Sequence, residues 1–470
     1  MPVKLGIFAK ILLDYLRWLL LSPLRALARA RSRGASLPIH EASVRVLACE
    51  IAAAASPIRT ERKRIGHMTR PRSTFAAGRL DISRLDRIVS IDPLERRAVI
   101  EPLVTMEALV RATAKFGLRP PVVPEFSQIT VGGAIQGLAG ESTSHRFGLF
   151  HESVEWMELL LADGRIVRAS PGGDLWRAVP GSYGTIAVVT LAELRLAPMP
   201  HFVELSYHRL GTAELAAAVR ASSEWEFLDA ISFGGEECLL VRGRGVDTPT
   251  APLYRAGSAA PWFDRHLAGR TDGERECMRA IDYLFRYDRG AFFVGSSKLG
   301  DSWLMRALFG GYATAENLYR LRGFASISGT RVVQDVGVPI DELAPFVRSL
   351  RREILPAEGP LWFCPIHGRH PLLFGPREAG LYVNIGIYNR SGRSREAFER
   401  LNRAIEREVK RRRGFKALYA SIHYDEREFW ALYDRDEYRR VREEYGAEGR
   451  LEDIYEKLTC RAPERGSRSR

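Results

Sequence analysis

"ITVGGAIQGLAGESTSHRFGLFHE", from Ile129 to Glu152, holds five glycines with small or hydroxylated residues between most of them. Ordering a glycine costs more backbone entropy than ordering any other residue, so a run of five needs a physical reason. The pair Gly132 and Gly133, followed by Gly137, spells GGxxxG rather than GxGxxG. No βαβ crossover with a later acidic residue surrounds it, which excludes a Rossmann unit, and no GK[ST] follows, which excludes a P-loop. Closely spaced backbone N–H groups free of side chains still make an anion-binding surface of the kind a pyrophosphate needs. The other reading is an interior loop whose glycines serve only tight turns.

The flanking sequence sets this loop in an α+β context. A helix is predicted from His40 to Ala55. "LDRIVSIDPLERRAVIEPLVTMEALVRATAKFG" reads as a strand, an Asp92–Pro93 turn, a second strand and a helix ending at Gly117. After the glycines, "VEWMELLLADGRIVRAS" reads as two strands joined at Asp163–Gly164. "DLWRAVPGSYGTIAVVTLAELRLAP" then gives a short helix, a turn around Gly181 and Gly184, and a long β-rich run. Past Pro200, "FVELSYHRL", "AELAAAVRASS", "WEFLDAISF" and "ECLLVRGRG" read as β-α-β-β. "RVVQDVGVPI", "DELAPFVRSLRREI", "PLWFCPIHG" and "GLYVNIGIYN" repeat that order, so the two units are expected to pair into one antiparallel sheet with helices on one face. The chain thus divides into residues 1–34, an N-terminal helix and basic linker; 35–200, the glycine-bearing domain; 201–413, a cap with an aromatic insert at about 250–330; and 414–470, a C-terminal segment.

Of the 470 residues, 70 are Lys or Arg against 57 Asp or Glu, a formal charge of +13. The excess is mostly arginine and is spread along the chain, which suits codon bias as well as a binding surface. No zinc-finger, helix-turn-helix or RNP-like spacing accompanies it, so no nucleic-acid partner is expected. Cys49, Cys238, Cys277, Cys364 and Cys460 are odd in number and scattered, so neither a disulfide framework nor a metal site is expected. "LGIFAKILLDYLRWLLL", Leu5 to Leu21, is apolar but carries Lys10, Asp14 and Arg17 on one helical face. Its apolar residues favour insertion by about 3–6 kcal/mol, whereas three central charges cost about 8 kcal/mol. Lying in the interface is therefore the expectation, with Arg25, Arg29, Arg31 and Arg33 meeting anionic headgroups on the cytoplasmic face of a membrane. The alternative is an amphipathic helix packed on its own protein.

The order of "TVGGAIQGLAGESTSHRFG", a strand hairpin and "PGSYGTIAVVTLAELRLAP" resembles the FAD-binding domain of the vanillyl-alcohol oxidase and p-cresol methylhydroxylase (PCMH) superfamily. Together with "IEPLVTMEALV", "VVPEFSQITVGG", "ESTSHRFGLFHESV", "VVQDVGVPID", "WFCPIHG", "GLYVNIGIYN" and "FKALYASIHYDEREFW", it is more similar still to one branch, the sterol Δ24-reductases (Diminuto/Dwarf-like proteins). That resemblance runs from about His40 to Cys460. It implies a PCMH-type two-subdomain FAD-binding domain plus a cap whose antiparallel sheet is flanked by helices. It also implies non-covalent FAD, NADPH as electron donor, and reduction of a C=C bond in a membrane-dissolved sterol or isoprenoid. By the same resemblance Thr105 would contact the cofactor, Gly132, Gly133 and Gly137 would lie against the FAD pyrophosphate, and Glu141, Ser142, His145 and Gly148 beside the ribityl and flavin. Gly181, Gly184, Ile186 and Val189 would offer main-chain contacts, and Arg64, Gly66 and His67 would form the first phosphate loop. That loop, "RKRIGHMTRPR", has one glycine where the superfamily has several, so the charges of Lys63 and Arg64 take the place of amides. Ala187 stands where related chains often carry glycine.

Reducing an isolated C=C needs a hydride from the flavin N5 and a proton from a positioned acid on the other carbon. The resemblance brings forward Tyr382 in "GLYVNIG", His423 in "SIHYDE" and Glu125 in "VVPEFSQ", with Tyr382 first because a phenol keeps its proton at neutral pH. Each also has a structural reading: Tyr382 as sheet packing, His423 as a satisfied core histidine, Glu125 as an arginine partner. Two other functions stay open, an FAD-linked oxidase or dehydrogenase of a lipid-linked sugar or alcohol, and a flavin-free basic membrane-surface protein. The purified protein is expected to carry about one FAD, released by acid or heat. Gly133→Val should abolish that flavin absorbance by placing a branched side chain against the cofactor; full absorbance in the variant would refute the site.

Overall fold

The structure, a computed structural model, describes residues 13–20, 37–61, 78–293, 302–322, 331–355, 359–390 and 394–459. Arg64, Gly66 and His67 of the expected phosphate loop and Cys460 lie outside these residues. Helix α1 covers residues 13–20 and α2 is Leu37–Ala53, starting three residues before the sequence expectation and stopping two before it. Strands β1 (Ile58–Glu61) and β2 (Gly78–Asp81) pair in parallel.

A five-stranded antiparallel sheet follows, in the order β3-β4-β8-β6-β7. Its members are β3 (Ile88–Asp92), β4 (Arg97–Ile100), β6 (Val154–Leu160), β7 (Ile166–Ala169) and β8 (Val188–Arg195). Both predicted turns form as their side chains dictate. Asp92 Oδ1 accepts from the amides of Leu94 and Glu95, and Asp163 Oδ1 from that of Arg165. The small strands β5 (Leu118–Arg119) and β9 (Ala197–Pro198) pair separately. Between β4 and β6 run α3 (Met106–Ala114), α4 (Val131–Gln136) and α5 (Ser144–Phe147); α6 (Asp174–Ala178) precedes β8.

The second sheet has eight strands in the order β13-β10-β12-β11-β15-β16-β14-β17. The first β-α-β-β unit supplies β10 (Phe202–Gly211), α7 (Leu215–Arg220), β11 (Phe227–Gly234) and β12 (Glu237–Val246). After it come α8 (Phe263–Ala268), β13 (Arg275–Arg279), α9 (Ala280–Leu284), α10 (Trp303–Phe309) and α11 (Ala315–Arg322). The second unit supplies β14 (Arg331–Pro339), α12 (Leu343–Ser349), β15 (Leu361–Gly368) and β16 (Gly380–Arg390), followed by α13 (Arg395–Arg411) and β17 (Phe415–Lys416). The units meet where β11 pairs with β15, and each keeps its third strand between the other two.

Side chains alternate across a strand, so this sheet has two faces of different character. Leu228, Ala230, Leu240, Val336, Val338, Phe363, Val383 and Ile385 point to one face. There they pack with Leu215 of α7, Phe346 of α12 and Ile405 and Val409 of α13. This is the helix-covered face. The opposite face carries Asp229, Trp362, Cys364, Asp335, Tyr382, Asn384 and Tyr388, and its apolar members share the core of the glycine-bearing domain.

The C-terminal segment, with α14 (Glu426–Trp430), α15 (Arg435–Glu444) and α16 (Ile454–Thr459), returns to the first domain. Arg442 is buried and donates from Nη1 to the carbonyls of Thr185 and Glu452, and from Nη2 to those of Ala447 and Leu451. Arg450 donates to the carbonyls of Ala54 and Ile51 at the end of α2, and Leu451 bridges to Ile58. Each buried carbonyl left without its donor costs about 1–3 kcal/mol, so Arg442→Met should lower unfolding free energy by about 3 kcal/mol or more. Urea titration followed by circular dichroism measures it.

Candidate active site

Thr130 caps α4, its Oγ1 accepting from the Gly133 amide at 3.1 Å. The Gly132 amide donates to the carbonyl of Pro102, and the Gly137 amide to that of Gly133, both at 2.8 Å. These three N–H groups therefore bond within the chain and do not form the open amide surface expected from the sequence. At Gly132 the reason for glycine is also internal: a Cβ there would sit 2.7 Å from Cβ of Pro102. What α4 leaves open is a face. Val131, Ala134 and Ile135 are buried, whereas Gly132, Gly133, Gln136, Gly137 and Gly140 keep partial exposure, so one side of the helix is almost free of side chains.

Gln136 ties this face to the second glycine turn, its Oε1 accepting from Ser182 Oγ at 3.2 Å and from the Gly184 amide at 3.3 Å. Gly181, Tyr183 and Gly184 all have positive φ, at 81°, 53° and 74°. Glycine adopts such a conformation freely, and the tyrosine is held in it. Ile186 and Val189 are buried in the core, so neither offers the main-chain surface expected from the sequence. A side-chain-free helical face beside a tight turn fits a flat aromatic cofactor with a polar tail. Thr105 is spent as the N-cap of α3, where its Oγ1 accepts from the Ala108 amide. Gly148, with φ 78°, is dictated by Glu152, whose Oε2 would lie 1.5 Å from a Cβ at this position. Glu152 in turn accepts from the amides of Leu149 and Arg369, which joins this loop to the β15–β16 connection.

Glu141, Ser142 and His145 also face the large sheet. Glu141 Oε1 receives Arg286 Nη2 at 3.0 Å, and the same nitrogen lies 3.1 Å from Oδ2 of Asp229 on β11. Tyr287 and Trp362 Nε1 complete the shell of Asp229 Oδ2, at 3.1 and 3.0 Å. Burial pushes the Glu141 carboxyl up and Arg286 pulls it back. Ser142 Oγ accepts from Tyr283, and the Ser142 carbonyl from the Leu228 amide. His145 meets the Trp225 carbonyl through Nε2 at 2.8 Å; its Nδ1 is buried without a hydrogen-bond partner, and burial lowers its pKa. These residues bind the glycine loop to the sheet.

The three acid candidates separate. Glu125 is half-buried in the loop before α4; its neighbour Phe126 packs on Phe292, and Ser127 donates to Asp288. Burial, reinforced by the Glu141 and Asp335 carboxyls, pushes its pKa up to about 8. Tyr382 lies on the open face of β16, but its hydroxyl donates to the Glu378 carbonyl at 3.2 Å and its ring packs on Phe415. His423 lies on the other side of the sheet. Its ring packs on Phe398 of α13, its amide donates to Glu406 of α13, and Arg403 of α13 donates to its carbonyl. Burial, then Lys416, lowers its pKa to about 4, leaving the ring neutral. The chain crosses the edge of the sheet at β17 before reaching His423, so His423 and Tyr382 are on opposite faces.

Asp335, Asn384 and Tyr419 form a second polar group on the open face that sequence reading missed. Asp335 accepts from Asn384 Nδ2 at 2.6 Å and from the Tyr419 hydroxyl, and burial raises its pKa against those bonds. The signal was available: period-two alternation in "VVQDVGVPI" puts Asp335 opposite the apolar Val336 and Val338. Arg286 and Asp229 carried no comparable signal.

Residues 66–170 match the FAD binding domain family. The chain is 30% identical to the delta(24)-sterol reductase of Homo sapiens over 398 residues, which cover 80% of this chain and 76% of that protein. It is 26% identical to the delta(24)-sterol reductase of Arabidopsis thaliana over 434 residues, with the same two coverages. A shorter match, 34% over 122 residues, covers 25% of this chain and 26% of the decaprenylphosphoryl-beta-D-ribose oxidase of Mycolicibacterium smegmatis. With a PCMH-type FAD-binding domain and this extent of similarity to the animal and plant reductases, the chain belongs to the delta(24)-sterol reductase family of FAD-dependent oxidoreductases.

Proposed function

We propose that the protein reduces an isolated C=C bond in the side chain of a membrane-dissolved sterol or isoprenoid, with NADPH as the electron donor and Glu125 as the proton donor. FAD, when bound and reduced, supplies the hydride. The side-chain-free face of α4 and the turn at Gly181 to Gly184 would hold it, with Glu141, Ser142 and His145 fixing the loop at its edge. Arg64, Gly66 and His67 would complete the phosphate end. No second dinucleotide fingerprint occurs in the sequence, so the nicotinamide would visit the flavin rather than occupy a domain of its own.

The observation that carries the proposal is the state of Glu125. A carboxyl with its pKa near 8 keeps its proton at neutral pH, and Glu125 is half-buried rather than closed off. It would protonate the alkene carbon that does not receive the hydride, and solvent would restore it. Tyr382, whose hydroxyl donates to the Glu378 carbonyl, is the second candidate. Asp335, held by Asn384 and Tyr419, would position the substrate and add to the field that keeps Glu125 protonated.

Stopped flow separates bleaching by NADPH from reoxidation by the alkene. Glu125→Gln should leave bleaching intact and slow reoxidation by about a hundredfold or more, the scale of a lost general acid. Because the proton is present below the raised pKa, the parent's reoxidation rate should be flat at low pH and fall as pH rises through about 8. The Gln variant should lose that inflection, and Tyr382→Phe should keep it. A Gln variant that reoxidises like the parent refutes the assignment. Bleaching by an alcohol instead of NADPH would favour the oxidase reading.

A further inference from the structure

In a chain this rich in arginine, the arginines to follow are those that no carboxylate has already claimed. At the end of α13, Arg411 and Arg412 both pair with Glu408, and Arg412 pairs with Glu342 as well. Arg413 pairs with no carboxylate among the described residues, and no hydrogen bond there holds its guanidinium. Its backbone is also strained. Arg413 follows the helix cap with φ 53°, the position and conformation in which glycine is the ordinary residue. The chain thus keeps a long cationic side chain where having none would be easier.

Arg413 and Arg377 both line an open cleft of about 250 Å³. Three stretches remote in sequence build it: the β15–β16 connection, the turn between α13 and β17, and the residues just after α14. Arg377 donates from Nη2 to the Leu432 carbonyl on the wall, which fixes the guanidinium within the cleft. Pro376, Tyr382, Phe415 and Tyr433 supply the other walls, with the Tyr382 and Phe415 rings 5.8 Å apart between centroids. Two acidic residues lie close in sequence, and neither lines the cleft. The Glu378 carboxylate is exposed, and Asp434 caps α15. The cleft is therefore positive and partly aromatic.

A guanidinium fork meets a phosphate bidentately, and flat rings stack on a purine. We propose that this cleft binds an adenosine 2′-phosphate through Arg377 and Arg413, and that in the proposed reaction this group is the 2′-phosphate of NADPH. The assignment of the donor rests on the proposed reaction; the nucleotide site does not. Its position suits a visiting donor. Phe374 packs on Tyr433 with centroids 5.4 Å apart, and its Cβ lies 2.9 Å from where a Cβ on Gly181 would be. Leu138, next to Gly137, comes equally close to the same point on Gly375 of the cleft. One layer of side chains thus separates the cleft from both glycine segments of the proposed flavin site. Its residues are distinct from Arg64, Gly66 and His67, proposed for the phosphate end of FAD.

Titration calorimetry of the full-length, FAD-loaded protein with adenosine 2′,5′-bisphosphate tests the site, since this probe has the second phosphate and no nicotinamide. Adenosine 5′-monophosphate and inorganic phosphate are the comparison probes, and the bisphosphate should bind about tenfold more tightly than either, or better. Arg413→Gln should weaken the bisphosphate by about tenfold or more, the scale of one charge-assisted hydrogen bond, and leave the monophosphate unchanged. Its melting temperature and flavin absorbance should match the parent's, because the guanidinium holds nothing in the fold. Arg377→Gln should act in the same direction, whereas Arg395→Gln, at the other end of α13, should change nothing. In stopped flow, Arg413→Gln should need about tenfold more NADPH for half-maximal bleaching, with the limiting rate and the response to NADH unaltered. An Arg413→Gln protein that binds the bisphosphate like the parent overturns the inference. So does inorganic phosphate binding as tightly as the bisphosphate, which would make the cleft a site for free anions, or an equal loss for both nucleotides. Bisphosphate binding as expected without any bleaching by NADPH would leave the nucleotide site standing and sink only the proposed donor.

Discussion

Arg286 is buried between Glu141, which belongs to the glycine loop, and Asp229, which belongs to the middle of the large sheet. A charge taken this far from water is tolerated only when paired and hydrogen-bonded, and removing one partner of such a group is far more costly than never having built it. Because the partners come from different parts of the chain, the pairing sets the glycine helix and the open sheet face in register. Tyr283 and Tyr287 lie over the guanidinium at 4.1 and 4.6 Å, and Trp362 bonds to the same carboxylate, so the position is fixed from several directions.

The open face is shaped by what its strands lack. Row by row across β11, β15, β16 and β14, Asp229, Cys364, Asn384 and Gly337 share one line, and Ile231, Trp362, Gly386 and Asp335 the next. At Gly337 a Cβ would lie 2.3 Å from the Phe415 ring, so this glycine lets the edge strand's aromatic close over the sheet. At Gly386 the same atom would come within 3.1 Å of the Tyr388 ring. Small residues thus make room for the Phe415 and Tyr388 rings, and aromatic side chains with a few fixed polar groups meet the glycine-bearing domain across this face.

The helix-covered face of the same sheet holds a second buried ion pair, Lys416 with Glu406, which also takes up the amide of His423. The two faces therefore divide the work: one packs helices and secures the chain crossing after β17, the other meets the glycine-bearing domain. The C-terminal segment finishes the job by carrying Arg442 to Thr185, so the turn that follows Gly184 is held from behind.

Much of this could be read from the chain by itself. Strand and helix order, both Asp-based turns, the repeat of the β-α-β-β unit and the FAD-binding family follow from period-two and period-3.6 patterns and from collinear motifs, all of which are local in sequence. What the glycines do was not legible. Gly132 answers to Pro102, Gly148 to Glu152 and Gly337 to Phe415, and a sequence shows that a side chain is missing without showing what fills its place. Likewise "SIHYDE" lies within eight residues of the open face, yet His423 ends up behind it, because crossing a sheet edge takes only a few residues and leaves no compositional trace. Arg286 was one arginine among many until the fold set two carboxylates around it. Long-range pairing in a low-dielectric interior decides such roles, and only tertiary structure creates that interior.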